Sequence, residues 1–397
     1  MNGTPGAAAD ERLAARRAIE ALRSGVPSQA AVRLLGTAQP HVEGRFWQQL
    51  QGAGDDAGSG VQTPGLLIAG DFGAGKSHLL GYLQHVALQQ GFVCSRVVIS
   101  KETPLYDPNK LYRAALQSAV VPGKRGVALT EIAATLDFAS PAYAELSRWA
   151  GGPESGLNSR FPATLFLYER VKDPEILDRI VSLWAGDPLN VSEIRSWLRA
   201  HGAATSYPLE RVPSKELPFQ RFTFASRLMA AAGFAGWVLL VDEVELIGRY
   251  SFMPRARSYA ALARWAGHLP EQTCPGLITV FAITSDFASA VLEDRNDAEI
   301  VPGKLRASGL DPERQLASAA ELGMRLIARE TVHLSAPDRT TVQQTKEQVR
   351  QLHARAYGWE PPALDGQEDL SLRMRQHVRQ WINEWDLKRL YSGAHRR

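Results

Sequence analysis

The stretch Gly70-Asp71-Phe72-Gly73-Ala74-Gly75-Lys76-Ser77 narrows the folds open to this chain more than any other. It has the form G-x-x-x-x-G-K-S. The apolar run Leu66-Leu67-Ile68-Ala69 precedes it, and His78-Leu79-Leu80-Gly81-Tyr82-Leu83 follows with apolar positions at helical spacing. The order is strand, phosphate loop, helix. Three glycines let successive backbone N–H groups turn inward around a phosphate chain, and the helix N-terminus adds its dipole. Lys76 would reach the β- and γ-phosphates, and Ser77 would offer its hydroxyl to Mg²⁺. The predicted binding set is therefore Gly70, Asp71, Phe72, Gly73, Ala74, Gly75, Lys76, Ser77 and His78, with ATP and Mg²⁺ as ligands.

A second element matches the first. Gly236-Trp237-Val238-Leu239-Leu240-Val241-Asp242-Glu243 is a buried-strand run closed by two carboxylates, the form of a Walker B strand. Asp242 at the strand's carboxyl end would join Ser77 in holding Mg²⁺, and Glu243 would polarise the water that attacks the γ-phosphate. Adjacent positions at a strand end can do both jobs when the chain turns there. Together, Lys76, Asp242 and Glu243 predict hydrolysis as well as binding.

These strands imply an α/β P-loop NTPase core of AAA-like type with a parallel sheet. A further buried strand is expected at Phe92–Ser100, ending in Lys101-Glu102-Thr103. Two readings of that end are open, a face toward the nucleotide and an ordinary strand-to-loop transition. From Asp107 to about Met229 the chain reads as helix after helix, punctuated by Gly and Pro. The interval from Lys76 to Asp242 is about twice the length a minimal core needs, roughly 80 residues from βαβ arithmetic. This predicts a large helical insertion, about 105–232, of the kind that carries docking or lid functions.

The ends are helical too. Glu11–Arg23 reads as a helix with Arg12, Arg16, Arg17 and Arg23 on it, open to a nucleic-acid phosphate contact or a plain solvated face. Pro27-Ser28 opens another helix. Phe46, Trp47 and Leu50 either cover the adenine or pack in the core, and Gly52–Gly60 reads as flexible. At the other end, Thr331–Leu334 reads as a last short strand, followed by helices at Arg339–Tyr357 and Leu370–Leu390 that form a small lid. The predicted organisation is a helical preface at 1–60, the ATPase core at 61–335 and a C-terminal lid at 336–397.

Three further roles are expected. The strand Leu277–Ile283 ends in Thr284-Ser285, where AAA-type ATPases place a polar sensor that orients the water. Arg373 or Arg375 would reach the γ-phosphate from the lid. Arg325 or Arg329, before the last strand, would act in a neighbouring subunit as an arginine finger, so a homo-oligomer is expected. The intervals Asp286–Asp297 and Val301–Arg306 read as loop-rich.

Composition excludes some classes. The 397 residues are 45% hydrophobic and 22% charged, with no apolar run of membrane-spanning length, and the first ten residues lack a secretory pattern. Cys94 and Cys274 lie in or beside apolar runs and read as reduced thiols, which points to the cytoplasm. A net charge of +3 neither demands nor excludes nucleic acid.

Four segments carry a likeness, the first and third of them in a family-specific way: Ala18–Ser28, containing Gly25-Val26-Pro27-Ser28; the loop Gly70–His78; Ser100-Lys101-Glu102-Thr103-Pro104-Leu105; and Trp381-Ile382-Asn383-Glu384-Trp385-Asp386. With them the chain resembles the BREX-system ATP-binding proteins of BrxD type, bacterial phage-defence ATPases. The resemblance implies an AAA-like ATPase that works beside a DNA helicase, on DNA or a DNA-bound partner. A nucleotide-gated switch or scaffold with slow hydrolysis is the alternative.

Overall fold

The computed structural model describes residues 5–25, 28–59, 61–210, 216–269, 273–364, 369 and 372–394. Three helices lead in: α1 (Pro5–Ser24), α2 (Gln29–Leu35) and α3 (Pro40–Ser59). Then follow β1 (Leu66–Ala69), α4 (Lys76–Gln89) and β2 (Val93–Val98). Seven helices come next: α5 (Pro108–Gln117), α6 (Ala128–Ala134), α7 (Pro141–Gly151), α8 (Arg160–Arg170), α9 (Pro174–Ala185), α10 (Val191–Ala200) and α11 (Leu217–Ala231). The chain returns to the sheet with β3 (Trp237–Asp242), α12 (Phe252–Trp265), β4 (Leu277–Ile283), α13 (Asp297–Ala307), α14 (Asp311–Arg329) and β5 (Val332–His333). It closes with α15 (Arg339–Tyr357) and α16 (Met374–Ala394).

The five strands form one parallel sheet in the order β2-β3-β4-β1-β5. Parallel strands are covered on both faces, which is why β3 and β4 are buried along their whole length and apolar except at Asp242 and Thr279. On one face Leu66, Ile68, Cys94, Val238, Leu240 and Val280 meet Phe46 of α3 and Leu79 and Leu83 of α4. On the other face Leu67, Val93, Trp237, Leu239 and Phe281 join a larger core with α5–α14. The inserted helices thus share the sheet's core. Trp237 stacks on Phe222 of α11 at 5.3 Å, and the Tyr112 hydroxyl donates to the Trp184 carbonyl at 2.7 Å. Asp107, Ser140 and Asp173 cap α5, α7 and α9, each followed by a proline in the first turn, so these boundaries follow from local chemistry.

A third core lies apart from the sheet. Ala15, Ala18 and Ile19 of α1 pack against Val349 and Leu352 of α15 and against Val378, Trp381 and Trp385 of α16. The two chain ends therefore build one helical body.

Three expectations change. The stretch read as flexible from Gly52 continues α3 to Ser59, because the apolar stripe Val42-Phe46-Leu50-Ala53 keeps helical spacing and is buried. The N-terminal tip is helical from Pro5, and Met1–Thr4 lie outside the described residues. The interval read as loop-rich holds a π-helical turn, Ala288–Glu293, and α13, whose Val301, Pro302 and Leu305 are buried. There tertiary burial overrides the Pro-Gly signal. Of the segment that opens α2, Val26 and Pro27 also lie outside the described residues.

Candidate functional site

Strand order locates the site. β1 leads through α4 toward the β2 edge of the sheet, whereas β4 leads through α13 and α14 past β1 to β5. Connections that leave adjacent strands in opposite directions open a crevice beyond their carboxyl ends. The glycine loop between β1 and α4 lies there. Its Gly70 N–H donates to the Ile283 carbonyl of β4 at 3.2 Å, and Ala74 N–H to Asp71 O at 3.0 Å. Gly73 and Gly75 hold φ of +85° and +99°, which a side chain would strain. Lys76 is buried and donates from Nζ to Gly70 O at 2.7 Å, while Phe72 stands exposed at the loop's tip.

The loop meets the end of β3. Asp242 is 4% exposed, and its Oδ2 accepts the Ser77 hydroxyl at 2.8 Å. Its Oδ1 accepts the Glu243 N–H at 3.1 Å. Glu243 turns the chain in the left-handed region at φ 61°, ψ 34°, and its carboxylate lines the crevice. Two charged groups here escaped sequence reasoning. Arg96 of β2 places Nη2 at 3.0 Å from Asp242 Oδ2. Glu245 lines the crevice with a buried Oε2 that has no partner among the described residues. Burial pushes its carboxyl pKa up, against the opposing pull of Lys76. A charged residue inside a strand that is apolar but for the neighbouring Ser95 was the available signal for Arg96. Glu245 gave none.

The crevice widens into a cavity of about 540 Å³. Its glycine-loop end is formed by residues 72–79 with Asp242, Glu243 and Glu245. The other end is formed by residues 35–40, by Thr341, Gln344, Thr345 and Gln348 on one face of α15, and by Met374, Arg375 and Val378 of α16. Gln39 ties this end together: its Nε2 donates to Ser335 O at 3.0 Å and its Oε1 accepts from Ser335 N–H at 2.8 Å. Phe46 and Leu50 are instead buried in the core against α4, and Trp47 packs on that core. Of the two roles open to that segment, packing is the one found.

The other candidates fall at different distances from the cavity. His78 is half-buried, with Nε2 at 2.9 Å from Gly36 O at the end of α2, and desolvation lowers its pKa. Arg373 is exposed, and its Cδ lies 3.2 Å from where a Cβ on Gly73 would stand, so it covers the loop. Arg375 donates to Gly25 O at 3.0 Å. Thr284 and Ser285 follow β4 at the same sheet edge, but neither lines the cavity. Arg325 and Arg329 are exposed on α14, away from the cavity, without an ion pair among the described residues. Ser100–Thr103 form a local turn, with Ser100 Oγ accepting from Glu102 and Thr103 N–H at 3.1 Å each, and do not line the cavity either.

A parallel α/β sheet with a glycine loop and buried carboxylate at its carboxyl edge is consistent with a P-loop NTPase-like fold. The chain belongs to the family described as BREX system ATP-binding protein BrxC/D, whose model matches residues 11–136 and 219–368. Membership supports an ATP-binding protein of a BREX phage-defence system. The unmatched residues 137–218 hold α7–α10. No curated protein and no solved structure matches the chain. Among the described residues no helix is long and apolar enough to cross a membrane.

Proposed function

We propose that the chain is an AAA-like, Mg²⁺-dependent ATPase in which Gly70–His78 form the Walker A loop and Asp242 and Glu243 the Walker B pair. The observation that carries this reading is the 2.8 Å hydrogen bond from Ser77 to Asp242, which joins residues far apart in sequence at one sheet edge. A hydroxyl and a carboxylate so close are hard oxygen donors, as Mg²⁺ prefers. Among the described residues no group of three or more His, Cys, Asp or Glu forms a protein cage for a metal. That also suits Mg²⁺, which keeps most of its shell as water and substrate phosphate. When bound, the ion neutralises charge on the β- and γ-phosphates.

The chain's own residues do the rest. Lys76 leaves the Gly70 carbonyl for the phosphates, and the loop's N–H groups orient them. Glu243 takes the proton of the attacking water, a role worth about 10²–10⁴ in rate. Arg373, which covers Gly73, is the candidate to sense the γ-phosphate, and Thr284 or Ser285, beyond the end of β4 and outside the cavity lining, would have to approach the site to orient the water. The residues at 35–40, α15 and α16 enclose the base.

The family supports a role in phage defence, and the resemblance adds a DNA helicase, DNA or a DNA-bound complex as partner, in the cytoplasm. Arg325 and Arg329, exposed and without an ion pair among the described residues, support a homo-oligomer that completes each site from a neighbour. The helical body built from α1, α2, α15 and α16 would move with nucleotide against the sheet core, to which α3 belongs. The contacts His78–Gly36 and Arg375–Gly25 favour a second reading as well, a nucleotide-gated switch that presents the insertion at 105–232 to a partner.

Binding of a fluorescent ATP analogue tests the site. Lys76→Ala is expected to weaken it by at least about tenfold, on the scale of one charge-assisted contact. Unchanged affinity would remove the loop from the reading. Light scattering in nucleotide-free, ADP and ATP-analogue states would show the oligomer, and a mass independent of nucleotide with no self-association would refute that part.

A further inference from the structure

One contact in the site belongs to no motif. Arg96 and Asp242 are 3.0 Å apart with side chains 21% and 5% exposed. The acceptor is the same Oδ2 that takes the Ser77 hydroxyl, so Oδ2 already has two donors and Oδ1 has one. The route is built into the fold. Arg96 pairs with Leu240 on β3, two residues before Asp242, on the face that α4 covers. The helix residue beside it is Gly81, where an added Cβ would stand 3.9 Å from Arg96 Nη1 and 3.2 Å from Val32. Glycine is unfavourable inside a helix, and here a Cβ would press on Val32 and reach contact distance of the guanidinium.

We propose that Arg96 is a positioning residue that acts as the counter-cation of Asp242 in the metal-free site. It thereby sets the free Mg²⁺ concentration at which nucleotide is held. The inference rests on the ATP reading above. A buried carboxylate is costly without a partner, and an arginine cannot lose its charge to provide one intermittently. The fixed cation balances the Asp242 carboxylate and holds it aimed at Ser77 before nucleotide enters. Its charge also repels an incoming divalent ion, and Oδ2 must release a donor for that ion's hydration shell. The site is thus held ready at the expense of metal affinity, and it fills only when phosphate brings negative charge with the ion.

The test titrates free Mg²⁺ against a fixed concentration of fluorescent ADP with the full chain, and measures nucleotide affinity separately in EDTA. Arg96→Gln is expected to lower the half-saturating Mg²⁺ by about tenfold, the scale of one screened charge a few ångströms from a divalent ion. Affinity in EDTA should stay within about twofold, and Arg96→Lys should keep the native requirement. Arg96→Met retains the stem's volume and carries the same expectation as Gln if Gln disturbs folding. An unchanged or raised Mg²⁺ requirement in the Gln and Met variants overturns the inference, as does an equal loss of affinity with and without Mg²⁺. If the native chain binds no nucleotide in either condition, the ATP reading falls and this one with it. Mg²⁺-dependent native binding with an unmoved Arg96→Gln titration overturns this one alone.

Discussion

Glu243 offers a prediction in which stability and activity part company. Its backbone sits at φ 61°, ψ 34°, a region where an L side chain crowds the neighbouring carbonyl at a cost of about 1–2 kcal/mol. Glycine escapes that crowding but gives the unfolded chain extra freedom, worth about 0.4–1 kcal/mol. Glu243→Ala keeps the crowding and Glu243→Gly relieves it, while both lack the carboxylate and both keep the N–H that Asp242 Oδ1 accepts. The Gly variant should therefore be more stable than the Ala variant by about 0.5–1 kcal/mol, whereas in an ordinary helix the order is reversed by about 1 kcal/mol. For a chain of this size that is about 1–2 °C in melting temperature. Melts of the two proteins side by side without nucleotide, with phosphate release measured in parallel, provide the assay. Both variants should be inactive. An Ala variant that melts at or above the Gly variant would refute the claim that backbone strain at Glu243 is stored to aim its carboxylate.

Two other predictions concern the scaffold. A Cβ on Gly323 of α14 would fall 1.9 Å from the Tyr259 carbonyl of α12, so Gly323→Ala should cost about 3 kcal/mol or more through forced separation of the two helices, read as lost soluble yield or a depressed melt. Burial lowers the pKa of His353 below 6.5 despite the opposing Asp386 carboxylate, so it stays neutral when folded and takes up a proton on unfolding. Stability from this group is whole above about pH 6.5 and is lost as pH falls from there through the lowered folded value. His78, lowered by burial, has the same sign. The native chain should melt lower at about pH 5.5 than at about pH 7.5, and His353→Gln should narrow that gap; an equal gap would contradict the assignment.

How much of this was legible in the sequence follows from range. The strands at Leu66, Trp237 and Leu277 are continuous apolar runs bounded by turn residues, and the capped helices carry Asp-Pro or Ser-Pro at their starts; local chemistry sets both. α15 begins and ends where its pattern predicts, between the Asp338 cap and Gly358 at φ 63°. What escaped depends on residues distant in sequence. Arg96 meets Asp242 only because β2 and β3 pair, Gln39 meets Ser335 across nearly the whole chain, and the cavity's far end comes from both termini folding into one helical body. Gly52–Ser59 misled because small residues signal a linker, although the buried stripe before them continues the helix.

We propose above that the loop and the Asp242-Glu243 pair are one hydrolytic site. Parallel measurement of ATP affinity and phosphate release in the native chain and in Glu243→Gln puts this to the test, since the substitution keeps size and hydrogen bonding while removing the base. Mg²⁺-dependent turnover is expected of the native chain and, in the variant, ATP binding within about threefold of native with turnover reduced by about 10²-fold or more. Full turnover by Glu243→Gln, or ATP binding without any turnover by the native chain, would contradict it.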